Sequence, residues 1–100
     1  MTTQPLSHME RLEQVDPEFY RALSALRQFI GAPGALDAKT KTLISLAMDA
    51  AGSHRDGVKN LARRARSLGA TDQEIMEVVR LAYSNAGTPG LVAGLAAFED

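Results

Sequence analysis

Apolar residues recur at helical spacing along most of the chain, and short glycine- or proline-containing segments separate the stripes. The first clear stripe follows Asp16-Pro17-Glu18 and ends at Gly31; its members are Tyr20, Leu23, Leu26, Phe29 and Ile30. Asp16 offers a side-chain acceptor at the helix start, and proline suits the first turn because its missing N–H would have no intrahelical partner. The pattern predicts a helix that ends at Gly31.

Three more helices are predicted from the same two signals, a polar cap and an apolar stripe. Asp37 caps the first of them, and Thr71 with Glu74 has the spacing of a capping box at the start of the third. Glycines follow the expected ends of all three. The predicted bounds are about 37–52, 54–68 and 71–87.

The last helix is predicted to start at Thr88-Pro89 and to run from Leu91 to Phe98. It is apolar almost all the way round and carries Gly90 and Gly94. A subunit of 100 residues has few other helices that could pack around such a helix. Contiguous exposed apolar surface usually marks an interface. We therefore expect this helix to be buried between subunits.

The N-terminal residues are polar, and Ser7 with Glu10 has the spacing of a capping box ahead of Leu12. We expect residues 1–15 to form a flexible or short-helical lead and residues 16–100 to form a single domain. The fold class predicted from the stripes is all-α, a bundle of about five or six helices.

Composition narrows the chemistry. The sequence has no cysteine, which excludes disulfides, thiolate metal sites and cysteine nucleophiles. Eleven basic and twelve acidic residues nearly cancel, so no overall field attracts nucleic acid. No cofactor is indicated, and the two histidines, His8 and His54, lie on segments whose separation the sequence does not fix, so no metal site is predicted.

The start of the chain lacks the basic segment and apolar run of a signal peptide, and no apolar run approaches the roughly 20 residues needed to span a bilayer. We expect a cytoplasmic protein without a membrane segment.

Residues 36–47 read Leu-Asp-Ala-Lys-Thr-Lys-Thr-Leu-Ile-Ser-Leu-Ala, and residues 65–75 read Ala-Arg-Ser-Leu-Gly-Ala-Thr-Asp-Gln-Glu-Ile. With Glu77-Val78-Val79 and Gly87-Thr88-Pro89, this order and spacing resembles the core of the carboxymuconolactone decarboxylase and alkylhydroperoxidase D family. The resemblance covers about residues 36–98. It implies an all-helical subunit packed about a helical hairpin, assembled into homo-oligomers (trimers or hexamers) with sites near subunit boundaries.

The resemblance also shows what this chain has lost. The thiol branch of the family carries Cys-x-x-Cys-x-x-x-His and an upstream glutamate, and the matching positions counted back from Gly69 hold His54, Gly57, Leu61 and Thr42. Without thiols the disulfide chemistry is impossible. The decarboxylase branch keeps a histidine where this chain has Leu61, so its activity does not transfer directly either.

His54 is the leading catalytic candidate, because the resemblance puts it at the family's reactive position and a helix start favours anions. Arg55 and Lys59 are the predicted ligands for a carboxylate. They belong to a basic stripe completed by Arg63 and Arg66. In the alternative interpretation His54 is a cap or a solvated side chain, and the stripe is a solvated face whose charges pair with nearby acids.

Other polar residues have weaker claims. Ser53 suits a cap better than a nucleophile, because no Ser-His-acid spacing accompanies it. Asp49 and Asp56 form a conceivable carboxylate pair, but the glycine break between them leaves their separation open. Tyr83 and Asn85 are candidates for lining a pocket in an oligomer, although a tyrosine on a helix usually joins the core.

Three functions remain open. The first is a non-thiol enzyme of lyase or isomerase type, or a binder, for a small carboxylated molecule. The second is a structural or protein-binding oligomer without catalysis. The third is DNA binding through a helix-turn-helix around Gly69, which the acidic start of its second helix, Asp72 to Glu74, disfavours because phosphates repel carboxylates.

Overall fold

The computed structural model describes residues 6–99, and every regular element in that range is helical. The elements are α1 (His8–Val15), α2 (Pro17–Gly31), α3 (Ala38–Ala51), α4 (Arg55–Ser67), α5 (Asp72–Ala86), α6 (Thr88–Gly94) and a final 3₁₀ turn (Leu95–Phe98). The all-α prediction is confirmed. The predicted lead forms the short helix α1 within its described part, while its first five residues lie outside the described range.

The predicted caps explain where the helices begin. In each case the cap oxygen accepts the backbone N–H of the third residue after it: Ser7 from Glu10 at 3.2 Å, Asp16 from Phe19 at 3.0 Å, Asp37 from Thr40 at 2.8 Å and Thr71 from Glu74 at 3.1 Å. The capping boxes at Ser7 and Thr71 are both complete. Local sequence alone therefore fixes these four starts.

The chain divides into two units, one ending at Ala32 and the other beginning at Pro33. In the first unit α1 packs against α2. Neither helix contains a buried residue, and Phe19, Leu26, Phe29 and Ile30 are exposed. The apolar stripe predicted for α2 thus forms, but most of it is open.

In the second unit, α3 packs against α4, α5 and α6. Its Leu46 and Ala50 are fully buried. The rest of the apolar core consists of alanine and β-branched residues, namely Val58, Ala62, Ala65, Ala70, Ile75, Val79, Ala82, Ala93, Ala96 and Ala97. Small side chains let the helix axes approach closely, which is how a short chain reaches a dense core.

Gly90 and Gly94 are the points at which α6 approaches α5 most closely. A Cβ added to Gly90 would lie 2.8 Å from the carbonyl oxygen of Ala82, and one added to Gly94 would lie 2.8 Å from Cγ1 of Val79. Both partners belong to α5 of the same chain. The last helix is therefore not buried between subunits on its glycine side, because α5 covers that side.

Val92, Leu95 and Phe98 of this segment are exposed. For these residues burial between subunits stays a prediction. The helix begins at Thr88, where the Thr88-Pro89 pair predicted its start, and tightens into the 3₁₀ turn after Gly94.

A polar link joins the first turns of α3 and α5. Lys39 Nζ lies 3.0 Å from Glu74 Oε2, while Glu74 Oε1 accepts the backbone N–H of Thr71 at 2.9 Å. The Thr71 N–H, and after it the Lys39 ammonium, hold the pKa of Glu74 below its ordinary value of 4.5.

This shift predicts an acid-dependent contribution to stability. Because the pKa of Glu74 is lower in the folded chain, its contribution is present above the unfolded value and is lost as the pH falls through the folded value. The wild type should melt higher than Glu74→Gln at neutral pH, and the two melting temperatures should converge as the pH falls through the folded-state pKa, which lies below 4.5. Thermal unfolding by circular dichroism across pH checks this, and a constant difference down to pH 2 would contradict it.

Candidate functional site

The junction of α3 and α4 folds the chain back on itself. Ser53 has a φ of 62°, in the left-handed region that residues other than glycine seldom adopt. Its N–H donates to the carbonyl of Ala50 at 3.1 Å, and the N–H of His54 donates to the carbonyl of Asp49 at 2.8 Å. His54 is thereby brought back over the last turn of α3.

His54 also meets Asp49 through its side chain, with Nδ1 3.3 Å from Asp49 Oδ1. The imidazole is 69% exposed and the carboxylate 33%. Because the contact uses Nδ1, the other ring nitrogen, Nε2, remains available. His54 occupies the N-cap position of α4, but no side chain, neither that of His54 nor that of Ser53, makes a capping hydrogen bond there.

The Asp49 carboxylate lies directly against the first turns of α4 at Gly57. A Cβ added to Gly57 would overlap Asp49 Oδ2 and lie 3.0 Å from Cγ. Sequence reasoning considered Asp49 with Asp56, whereas the structure pairs it with His54. The signal for this partner was Gly57 itself, since glycine inside a helix costs about 1 kcal/mol relative to alanine and so points to a close approach.

An apolar cavity of about 410 Å³ lies between the start of α4 and α6. Its lining residues are Ser53, Arg55, Thr88, Pro89, Val92 and Ala93. Arg55 is the ionisable member of this set. The residues on either side of His54 in the chain thus form part of the cavity wall.

The two predicted carboxylate ligands differ in their surroundings. Arg55 donates from Nη2 to Glu99 Oε2 at 2.5 Å and from Nη1 to the carbonyl of Val92 at 3.4 Å. Its guanidinium therefore already binds a carboxylate of its own chain. Lys59 is half-buried and forms no ion pair within residues 6–99.

Arg66, at the other end of the basic stripe, is equally engaged. Its Nε donates to Asp72 Oδ1 at 3.0 Å, its Nη1 donates to the carbonyl of Ala97 at 2.9 Å, and its guanidinium carbon lies 5.4 Å from the ring centre of Phe98. The charges of Arg55 and Arg66 thus pair with acids that lie outside α4.

Removal of Arg66 should be costly. We expect Arg66→Ala to lower the free energy of unfolding by about 1–3 kcal/mol, because two hydrogen bonds from a charged donor and a cation–π contact are lost together. Arg63→Ala is the matched control, since Arg63 makes one 3.4 Å contact with Asn60 on the same helix and should change stability by less than about 0.5 kcal/mol. Urea unfolding measures both, and equal effects would argue against the role of Arg66.

The remaining positions of the lost motif are structural. Thr42 is buried, and its hydroxyl donates to the carbonyl of Ala38 at 2.7 Å. Leu61 packs against the hydrophobic core. Neither adds a polar group to the site, so the family's relay has no counterpart at these positions.

Tyr83 and Asn85 do not line the cavity beside His54. Tyr83 is exposed rather than in the core, and the Asn85 amide donates to the carbonyl of Leu81 at 2.9 Å. No cluster of three or more His, Asp or Glu side chains suited to a metal occurs among residues 6–99. Nor does this part of the chain contain a helix long and apolar enough to cross a membrane.

A second cavity, of about 640 Å³, lies on the outward face of α5 and against the final turn. Its lining residues are Asp72, Gln73, Met76, Glu77, Arg80, Leu95 and Phe98. This is the face that a helix-turn-helix would place against DNA, and it presents two carboxylates beside one guanidinium. The geometry gives no support to a DNA-binding surface here.

Comparisons with known proteins agree with the fold and the sequence resemblance. The model of the carboxymuconolactone decarboxylase family matches residues 17–100. The uncharacterized protein MJ1511 of Methanocaldococcus jannaschii is 30% identical over 93 residues, which cover 93% of this chain and 87% of that protein. The crystal structure of apo-lpg0406, a carboxymuconolactone decarboxylase family protein from Legionella pneumophila, matches with a TM-score of 0.84 at 30% identity, covering 91% of this chain and 81% of that one. With its fold, its motif order and these matches in agreement, the chain belongs to the carboxymuconolactone decarboxylase family, as a member without cysteines.

Proposed function

We propose that this chain binds a small carboxylated molecule at the α3–α4 junction and acts on it as a non-thiol enzyme of lyase or isomerase type. The observation that carries the proposal is the setting of His54. An exposed imidazole with one ring nitrogen on a carboxylate stands at the start of α4, and the residues flanking it line an apolar cavity that contains Arg55.

Each part of this setting has a chemical use. A neutral imidazole accepts a proton from a carbon next to a carbonyl or carboxylate group and can return it to another atom of the same molecule. The apolar wall suits the carbon skeleton of the ligand. Arg55 or Lys59 is the expected partner of its carboxylate, with Arg55 releasing Glu99 to bind it.

A thermal-shift screen tests the binding part, using small carboxylates that include a muconolactone. A ligand that binds only the folded chain raises the melting temperature, because at a free concentration c it stabilises the folded state by RT ln(1 + c/Kd). We expect a shift with at least one carboxylate, and no shift with the matching alcohol or amide. The absence of any carboxylate-specific shift would count against the proposal.

Turnover of that carboxylate then tests His54. His54→Ala should lower kcat by about 10²- to 10⁴-fold, the usual contribution of a general acid or base, while leaving the helical content and mass unchanged. His8→Ala, on the first unit, is the matched histidine control and should be fully active. An active His54→Ala variant would remove His54 from the mechanism.

The second candidate function is a structural or protein-binding oligomer without catalysis. It is favoured by the exposure of three large apolar side chains near the end of α6 and in the final turn, Val92, Leu95 and Phe98. In either function we propose a cytoplasmic homo-oligomer, a trimer or a hexamer. Light scattering of the wild type and of Val92→Asp checks this: the wild type should be oligomeric and the variant smaller, whereas a monomeric wild type would end the idea.

A further inference from the structure

We infer that Asp49 is the positioning residue of His54, and that Gly57 provides the space in which the Asp49 carboxylate sits. The catalytic meaning of this inference rests on the proposed function, but the arrangement itself can be tested without a substrate. It assigns roles to Asp49 and Gly57 that neither the lost motif nor the basic stripe suggested.

Asp49 and His54 contact each other twice. The backbone N–H of His54 donates to the backbone carbonyl of Asp49 at 2.8 Å, and the two side chains meet at 3.3 Å. A carboxylate only accepts hydrogen bonds, so in the neutral imidazole Nδ1 carries the proton and donates it to Oδ1. The lone pair is then on Nε2, which is the nitrogen left available for a proton or a ligand.

The space around the pair is made by two glycines. A Cβ on Gly57 would overlap Oδ2 of Asp49. A Cβ on Gly52 would lie 3.1 Å from Cε1 and 3.3 Å from Nδ1 of His54. One glycine thus lies beneath the carboxylate and the other beneath the ring, and the left-handed φ of Ser53 between them folds the two groups together.

The surrounding charges leave Asp49 no competing partner. Arg55, the nearest basic residue along the chain, is bonded to Glu99 and to the Val92 carbonyl. Within the described range the ion pair of Asp49 is with His54 alone.

Nitrogen-15 NMR of the histidine side chains reads the arrangement directly, because the two ring nitrogens of a neutral imidazole differ strongly in chemical shift with the position of the proton. The full chain is measured in mildly alkaline solution, and His54→Ala assigns the signals. We expect the wild-type His54 to hold its proton on Nδ1. Asp49→Ala should release the ring into a mixture of both tautomers. Asp49→Asn should also weaken the preference, because its amide can accept from Nδ1–H or donate to an unprotonated Nδ1.

Gly57→Ala is the decisive variant, because it leaves Asp49 and His54 in the sequence and changes only the space between the helices. We expect the same tautomer mixture as in Asp49→Ala. Gly31→Ala, where an added Cβ has nothing within 4 Å, is the control and should leave His54 unchanged. If Gly57→Ala fails to fold by circular dichroism, the two Asp49 variants still decide the matter.

A wild-type proton on Nε2, or an unchanged tautomer in Asp49→Ala, would overturn the inference. Once a carboxylate substrate has been identified, Asp49→Ala should also lower kcat for it by about tenfold or more, with little change in KM. The two proposals fail separately. If the tautomer depends on Asp49 but no carboxylate binds, the positioning role is supported and the proposed function is rejected. If a carboxylate binds and is turned over but the tautomer does not depend on Asp49, only the positioning role is rejected.

Discussion

Replacing Gly90 with alanine is expected to lower the free energy of unfolding by about 1–3 kcal/mol, the usual cost of overpacking a close contact. The new methyl carbon would lie 2.8 Å from the carbonyl oxygen of Ala82 and 3.2 Å from its carbonyl carbon. Both are backbone atoms of α5, so they cannot turn aside as a side chain can, and α6 must move away from α5 as a whole. Urea unfolding followed by circular dichroism measures the loss.

Gly94 provides an internal comparison, because the atom that its added Cβ would meet belongs to a side chain, Val79, at 2.8 Å. Gly94→Ala and Val79→Ala should each destabilise the chain, but the double variant should lose less than the sum by about 1 kcal/mol, since the new methyl group fills part of the space left by valine. Val79→Ala should give no such relief to Gly90→Ala. Additive losses in the Gly94 pair would show that the contact between α5 and α6 is looser than the structure has it.

Gly31→Ala serves as the control for both glycines. An added Cβ there meets nothing within 4 Å, so the gain in helix propensity should leave stability unchanged or raise it by up to about 1 kcal/mol.

Leu46→Ala is the other change for which we expect a large effect, a loss of about 2–5 kcal/mol. Leu46 is fully buried on α3, the helix that packs against α4, α5 and α6, so no single neighbour can move to fill the space. The variant loses the transfer free energy of the removed carbon atoms, and the cavity left behind lowers the free energy of unfolding further.

Met48→Ala is the matched control for Leu46, two positions along the same helix, because Met48 is 69% exposed. It should change stability by less than about 0.5 kcal/mol. A loss below about 1 kcal/mol for Leu46→Ala would mean that the core collapses around the smaller side chain, contrary to the packing of the second unit.

The helix starts could be predicted from the sequence because each depends on residues only three positions apart. Asp37 and Thr71 find their partners within one turn, whatever the rest of the chain does. The helix ends at Gly31 and near Gly52 were likewise visible from single glycines. From Leu36 onward the family resemblance predicted a subunit packed about a helical hairpin, and the match to the family model confirms the resemblance.

The packing of α6 was harder to predict, because counting apolar positions says nothing about how large they are. Because Gly90, Ala93 and Gly94 count as apolar, the helix is apolar almost all the way round, and this pattern predicted that a second subunit covers it. In the structure those same small residues let α5 lie close enough to cover one side. Side-chain volume, rather than hydropathy, decided which surface stayed open.

The candidate site was only half predictable. His54 stood out through the family position, but Asp49 did not, because its approach depends on the φ of Ser53 and on the missing Cβ of Gly57 together. Arg55 and Lys59 have equivalent positions on the basic stripe, yet Arg55 forms an ion pair with Glu99 and Lys59 forms none within residues 6–99. Contacts between residues far apart in the chain, such as Arg55 with Glu99, leave no mark in a local pattern.

That last contact has a thermodynamic consequence for any anion that uses Arg55. The guanidinium is available only in the fraction of molecules in which its ion pair with Glu99 is broken. The observed association constant for an anion is therefore the intrinsic constant multiplied by that fraction. Glu99 therefore behaves as a tethered competitor whose strength falls as salt rises, because its pair is partly exposed. Glu99→Ala removes the competitor without changing Arg55, and so separates how well Arg55 holds an anion from how often it is free to do so.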